Sequence, residues 1–392
     1  MLFRSASNTD SNLSYSIPTQ DDDAITGTLR GRKKARIRHI APLSNLIFLT
    51  ESGEWKFAPV NSDILTPDSA FPKQDSEEGS APVRPVVIDS VVIFVPFSGT
   101  QLRRLEYKWQ RSGWSIDDIT VLAPHLFEGK TIVSLAYQRA PHKTIWAVRS
   151  DGVLLAATYY PEHEVLAWHQ HRTAGEFESV ACVKSGSEYL VNVIVKRVIN
   201  GATVRYLERK RSRLFPTLED SFCVDSGITY DGDPTTEIYG LGHLVGEEVA
   251  ILADGQVHPR RTVDADGHVS LEFEASKVHV GLPYSCRLQT IPPALERVEG
   301  FGQQVRKNPD KVHVRLHNTV TVKAGPNFEK MRQLEPRDGE DWDEAARPKS
   351  YMVEIPIDPD WNVQGQVAVE QDLPLPATVL GLVVEMASEG TN

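Results

Sequence analysis

Thr144-Ile145-Trp146-Ala147-Val148-Arg149, then Ser150-Asp151-Gly152, then Val153-Leu154-Leu155-Ala156-Ala157-Thr158-Tyr159, is the stretch whose reading decides the fold. Two runs rich in β-branched and apolar residues flank an Asp-Gly step. Asp-Gly supplies the φ > 0 conformations that tight I′ turns require, so the stretch reads as a β-hairpin. The pattern recurs. Residues 189–198, Asn200-Gly201 and 202–208 repeat it, as do 248–252, Asp254-Gly255, 256–263, Asp266-Gly267 and 268–273. A single Asp-Gly says little, but this succession specifies antiparallel β structure.

Working outward, residues 37–50 run to Ser52-Gly53 and resume as Glu54-Trp55-Lys56-Phe57, while residues 86–95 read as a strand pair bent near Asp89-Ser90. Helical signals are confined to 331–335, 338–347 and 119–127, the last interrupted by Pro124, and no long 3.6-residue apolar periodicity appears. The chain reads as all-β. Between Gly129 and Arg209 the strand pairs each carry Trp or Tyr, which suits the blades of a propeller. A β-sandwich leaves a similar trace, and the propeller is the favoured reading.

Proline and charge mark the boundaries. Residues 67–85, rich in Pro, Ser and acid, read as a long exposed loop. The charge run 209–220 and Ile291-Pro292-Pro293 bracket a small β domain. The expected organisation is a propeller-like region over 1–210, the small domain over 211–292, and a C-terminal β domain over 293–392.

Composition narrows the function. The 392 residues are 40% hydrophobic and 24% charged, as in a globular protein, and the net charge of −11 argues against broad binding to nucleic acid or anionic membrane. Cys182, Cys223 and Cys286 form no Cys-x-x-Cys pair and read as buried reduced thiols. Met1-Leu2-Phe3-Arg4 leads into polar sequence without a leader's apolar core, and residues 91–95 fall far short of the ~20 a membrane helix needs, so no membrane insertion is expected.

Two stretches carry a resemblance. Glu247-Glu248-Val249-Ala250-Ile251-Leu252-Ala253-Asp254-Gly255, followed by Val278-His279-Val280-Gly281-Leu282-Pro283-Tyr284, resembles a signature of the tail tubular protein B, or nozzle, family of short-tailed bacteriophages. Ser52-Gly53-Glu54-Trp55, Pro141-His142 with Trp146-Ala147-Val148, residues 200–208 and residues 365–376 resemble the same family. The resemblance implies a structural protein of the virion's viral tail and not an enzyme. It implies a hexamer ring below the portal and the adaptor (tubular protein A), neighbouring tail fibres or tip proteins, and a channel for DNA ejection. Residues 215–290 resemble, in shape only, a half-domain of ubiquitin-activating enzymes. Family members carry a longer portion before the Ser-Gly-Glu-Trp strand. Here that start is abbreviated, which implies either a split gene, with a separate chain supplying the upstream portion, or a shorter variant whose propeller lacks blades. Assembly would take place in the host cytoplasm.

Residues that invite chemistry have plainer readings. His169 and His171 share a strand face and could both bind zinc, but only His163 and Glu164 stand near in sequence, and surface histidines are favoured. Asp21-Asp22-Asp23 and Asp231-Gly232-Asp233 lack the spacing of a calcium loop and read as solvated loops, while Asp264-Ala265-Asp266-Gly267 reads as turn chemistry. Arg30-Gly31-Arg32-Lys33-Lys34-Ala35-Arg36-Ile37-Arg38 is the best anion or nucleic-acid candidate, against an exposed strand edge or an acidic neighbouring subunit. No nucleophile elbow, phosphate loop or dinucleotide fingerprint appears, and no catalytic, cofactor-binding or metal residue is assigned. The alternative function is a carbohydrate-binding or polysaccharide-degrading propeller at the tail tip, with its tryptophans stacking on sugars.

Overall fold

The computed structural model describes residues 2–5, 13–31, 36–60, 65–111, 113–294, 305–337, 339, 341 and 344–388. The chain divides into two compact units, Met1–Val198 with Thr203–Lys210, and Ile199–Ala202 with Arg211–Asn392. Both are all-β.

In the first unit β1 (Leu2–Ser5) pairs with β2 (Ile25–Thr28). Then come three four-stranded meanders and one of three strands. The first holds β3 (Ile37–Pro42), β4 (Leu46–Thr50), β5 (Gly53–Pro59) and β6 (Ala70–Gln74). The second holds β7 (Val86–Ile88), β8 (Val91–Phe94), β9 (Arg103–Lys108) and β10 (Gly113–Asp118). The third holds β11 (Ile132–Gln138), β12 (Thr144–Arg149), β13 (Leu154–Tyr160) and β14 (Val165–His171). The fourth holds β15 (Glu176–Ser185), β16 (Glu188–Ile199) and β17 (Ala202–Arg209).

The side chains of β12 show why these sheets stack face to face. Successive residues of a strand point to opposite faces. Ile145 and Ala147 join Ile93, Val95 and Leu102 beside the second sheet, whereas Trp146 and Val148 join Phe177, Val191 and Val193 of the fourth. All six residues of β12 are therefore buried, and an unbroken apolar run replaces the usual alternation. Ala41, Ile47 and Leu49 pack on Val92, Phe94 and Leu105 in the same way between the first and second sheets. Sequential antiparallel sheets packed by their faces make this unit propeller-like. Each fully buried Leu or Ile contributes about 1.5–3 kcal/mol, so this one-after-another packing is the unit's main source of stability.

Two expectations change here. Residues 67–85 are not one exposed loop: β6 completes the first sheet, and Ser80, Ala81 and Val83 are buried. Residues 37–50 are two strands, with a turn at 43–45.

In the second unit β18 (Asp225–Ile238), β19 (Glu248–Ala253), β20 (Gln256–Thr262) and β21 (Val269–Leu282) form a sheet in the order β18-β21-β19-β20. Next come β22 (Cys286–Gln289), β23 (Lys307–Leu316), β24 (Lys323–Gly325), β25 (Arg332–Gln333), β26 (Met352–Pro356), β27 (Ala368–Gln371) and β28 (Val379–Ser388). These form two sheets, β22-β27-β24-β25 and β26-β23-β28, with Val312, Val314, Ile355, Val367 and Val369 in their common core. The expected boundary at 292 falls too late, because β22 already pairs with β27 of the C-terminal part. The short helical signal at 331–335 holds instead the two-residue β25. Of 119–127, one turn of 3₁₀ helix forms at Pro124–Leu126, and parts of 338–347 lie outside the described residues.

Candidate functional site

The two stretches that carried the family resemblance lie side by side. β19 and the end of β21 are hydrogen-bonded neighbours, with Ala250, Ile251, Leu252 and Ala253 opposite Gly281, Val280, His279 and Val278. Asp254 and Gly255 turn the chain with φ of 47° and 79°, and Asp254 then closes the pair. Its Oδ1 accepts from the Lys277 N–H at 2.8 Å and its Oδ2 from the Ser276 N–H at 3.1 Å. Gly281 is needed for close approach: a Cβ there would lie 2.6 Å from the Asp225 carbonyl oxygen and 2.7 Å from Gly227 Cα.

His279, 3% exposed, ties a neighbouring segment to this pair. Its Nε2 donates to the Glu219 carbonyl at 2.9 Å, its Nδ1 lies 3.0 Å from the Thr229 hydroxyl, and Phe222 packs edge-on at 5.3 Å. Burial lowers its pKa and keeps the ring neutral. Lys277 adds an ion pair to Asp220. The arrangement is a mechanical clasp.

Glu54, from the Ser-Gly-Glu-Trp stretch, is 1% exposed and accepts from the Ser76 hydroxyl. Its Oε1 meets no partner at bonding distance among the described residues. Burial raises its pKa from 4.5 to about 7. Sequence reasoning passed over this residue, and its only signal was the resemblance of the stretch that contains it.

The structure places the remaining candidates as follows. His169 and His171 share a face of β14, with ring centroids 5.1 Å apart, and His171 lies 5.3 Å from Trp146. Trp146 donates to Gln138 Oε1 at 3.3 Å, and Lys210 stands 5.8 Å over its ring. His163 and Glu164 sit at the opposite end of the strand, and among the described residues no group of three His, Cys, Asp or Glu gathers as a metal site would. Asp23 turns inward to accept from the Gln20 and Ser16 N–H groups at 2.8 Å, leaving Asp21 and Asp22 exposed. Asp231 and Asp233 are exposed on β18. Asp264 accepts from the Asp266 and His268 N–H groups at 3.0 and 2.9 Å, the turn chemistry its sequence suggested.

Of the basic stretch, residues 32–35 lie outside the described residues. Arg38 lies on the edge strand β3 and pairs with Glu51. Trp342 also lies outside them; Trp55 and Trp146 are core, and Trp109 is exposed. The three thiols are unbridged, but only in part buried, with Cys286 exposed. Burial pushes Cys182 up to about 12 and, with the nearby Cys286 thiol adding to it, Cys223 up to about 11. Thiols held that high are poor nucleophiles.

Two surfaces stand out. The outer face of the fourth sheet exposes Val183, Ile194, Val198 and Leu207. A cavity of ≈ 340 Å³ lies between β19, β20 and residues 372–374. Its polar groups are mostly engaged, Asp372 Oδ2 by Lys323 at 2.5 Å, Arg260 by Glu248 at 3.1 Å, and His258 by the Glu272 N–H at 2.8 Å, while the buried Asp372 Oδ1 meets no partner at bonding distance among the described residues.

No protein-family model and no curated protein matches the chain. A solved structure described as Bacteroides ovatus Xyloglucan PUL GH43B is similar to it at 12% identity, covering 89% of each chain, with a TM-score of 0.24. A superposition that loose carries no argument about function.

Proposed function

We propose that this chain is a structural subunit of a bacteriophage tail tube or nozzle. Six copies form a ring that continues the DNA-ejection channel below the portal and adaptor, and tail fibres or tip proteins attach to it. The observation that carries the reading is the pairing of β19 with β21. The two resembling stretches form one hydrogen-bonded unit, with Asp254, His279 and Gly281 each held there by a specific contact.

Two further features support it. The exposed apolar face of the fourth sheet suits a neighbouring subunit. The acidic balance suits a conduit, because DNA carries one negative charge per ~1.7 Å and a wall rich in cations would retain it. Locating the chain in purified virions by electron microscopy tests the reading. Density for it in a ring under the adaptor is expected, and its absence from the particle would sink the proposal. The rival carbohydrate-active reading predicts instead that the purified chain releases reducing sugar from host polysaccharide.

A further inference from the structure

Among the described residues the sheet β26-β23-β28 ends at β26 and β28. No backbone group among the described residues bonds residues 379–387 of β28, or β26, on the side away from β23. Several edge strands among the described residues are blunted in the usual ways, by charge, proline or irregularity. β18 carries Asp231, Asp233 and Pro234, β20 carries Pro259, Arg260 and Arg261, β17 carries Arg205, Glu208 and Arg209, and β26 carries Glu354 and, at its end, Pro356. β28 is different. Its ten residues, Val-Leu-Gly-Leu-Val-Val-Glu-Met-Ala-Ser, hold one charge, Glu385, and no proline, lysine or arginine. Leu380 and Val383 are more than half exposed.

We infer that β28 pairs with β26 of a second copy of this chain, so that the sheet continues from subunit to subunit. The register within one chain shows the match. Ile355, Val312 and Val384 lie level across the sheet, as do Val353, Val314 and Leu382, and these rows face the core. On the other face Glu354, His313 and Val383 lie level, as do Pro356, Lys311 and Glu385. A neighbour set level against β28 brings its Val353 and Ile355 beside Leu382 and Val384, which extends both apolar rows. Its Glu354 then lies beside Val383, and its Pro356 beside Glu385, so no like charges meet. Both β26 and β28 run antiparallel to β23, so the new pair is parallel. A two-fold pairing of β28 with itself leaves every β26 open, whereas head-to-tail addition gives both edges of every copy a partner, the new pair ending at Pro356, which has no N–H to donate; this is the heterologous contact that closes rings. The inference deepens the tail reading and rests on its ring.

Sedimentation of the purified full chain and of two surface variants tests it. Val383→Glu sets a carboxylate beside the neighbour's Glu354, and Val383→Lys sets an ammonium there. Wild type and Val383→Lys are expected to sediment as the same oligomer, and Val383→Glu to associate roughly tenfold more weakly, with unchanged circular dichroism in all three. Equal behaviour of the two variants overturns the pairing. So does disulfide cross-linking of a Val383→Cys variant to itself without a Glu354→Cys partner, since that reports a two-fold contact. Rings that persist unchanged in Val383→Glu would remove the strand pairing and leave the tail reading standing, whereas a wild type that is monomeric at every concentration removes both.

Discussion

Replacing Glu54 with glutamine should remove a pH dependence that the buried carboxyl imposes on the fold. The side chain is 1% exposed, and burial raises its pKa from 4.5 to about 7. Because the folded value lies above the unfolded one, the fold keeps a proton that the unfolded chain gives up. Between those two values the folded state binds more protons, so stability falls as pH rises from 4.5 to about 7 and is level outside that window. Each tenfold in proton affinity is worth about 1.4 kcal/mol, so the full effect is about 3 kcal/mol. Glutamine keeps the shape and an acceptor for the Ser76 hydroxyl but never ionises. The variant should match wild type near pH 4.5 and exceed it by up to about 3 kcal/mol at pH 8. Urea unfolding followed by circular dichroism from pH 4.5 to 8 reads the difference, and other titrating groups cancel in it. A difference that does not change with pH would refute the reasoning, as would a glutamine variant less stable than wild type at pH 8.

Asp254→Ala leaves the Ser276 and Lys277 N–H groups without their carboxylate and should cost about 2 kcal/mol, while Asp254→Asn, which tolerates positive φ, should cost about half as much in the same urea assay. Arg197, 3% exposed, bonds Glu208 through two nitrogens at 2.7 and 2.8 Å, so Arg197→Met should cost about 3 kcal/mol and the Arg197→Met/Glu208→Leu pair much less, a coupling that a double-mutant cycle measures. Asp264 and then Glu237 raise the pKa of His268, so its stabilisation is complete below pH 6.5 and is lost as pH rises through the folded value. His268→Gln should flatten that loss in thermal melts across pH 5 to 8.

How much could be read from residue order depends on whether the deciding contact is local. Turns are local, and Asp151-Gly152, Asn200-Gly201 and Asp254-Gly255 mark strand ends correctly, whereas Asp231-Gly232 lies inside β18. At Asp254-Gly255 and Asn200-Gly201 both residues take positive φ, as a I′ turn requires. At Asp151-Gly152 and Asp266-Gly267 only the glycine does. The strands that Asp266-Gly267 joins are not ladder partners, because β21 runs between β18 and β19. β6 was hidden by Pro72 and Lys73, residues that suit an edge strand as well as a loop. The pairing of β22 with β27 spans about eighty residues and leaves no local mark. For the candidate site, the resemblance singled out Asp254 and His279, but the carbonyl of Glu219 that His279 holds could only be found in three dimensions. The exposed fourth-sheet face was invisible for the same reason, since Val183, Ile194 and Val198 read like any other strand residues.

The central claim is that copies of this chain build a closed conduit. Cryo-electron microscopy of the purified chain tests it most directly. Six-copy rings around an open channel are expected, with neighbouring C-terminal sheets joined edge to edge. Isolated single chains at every concentration would contradict it.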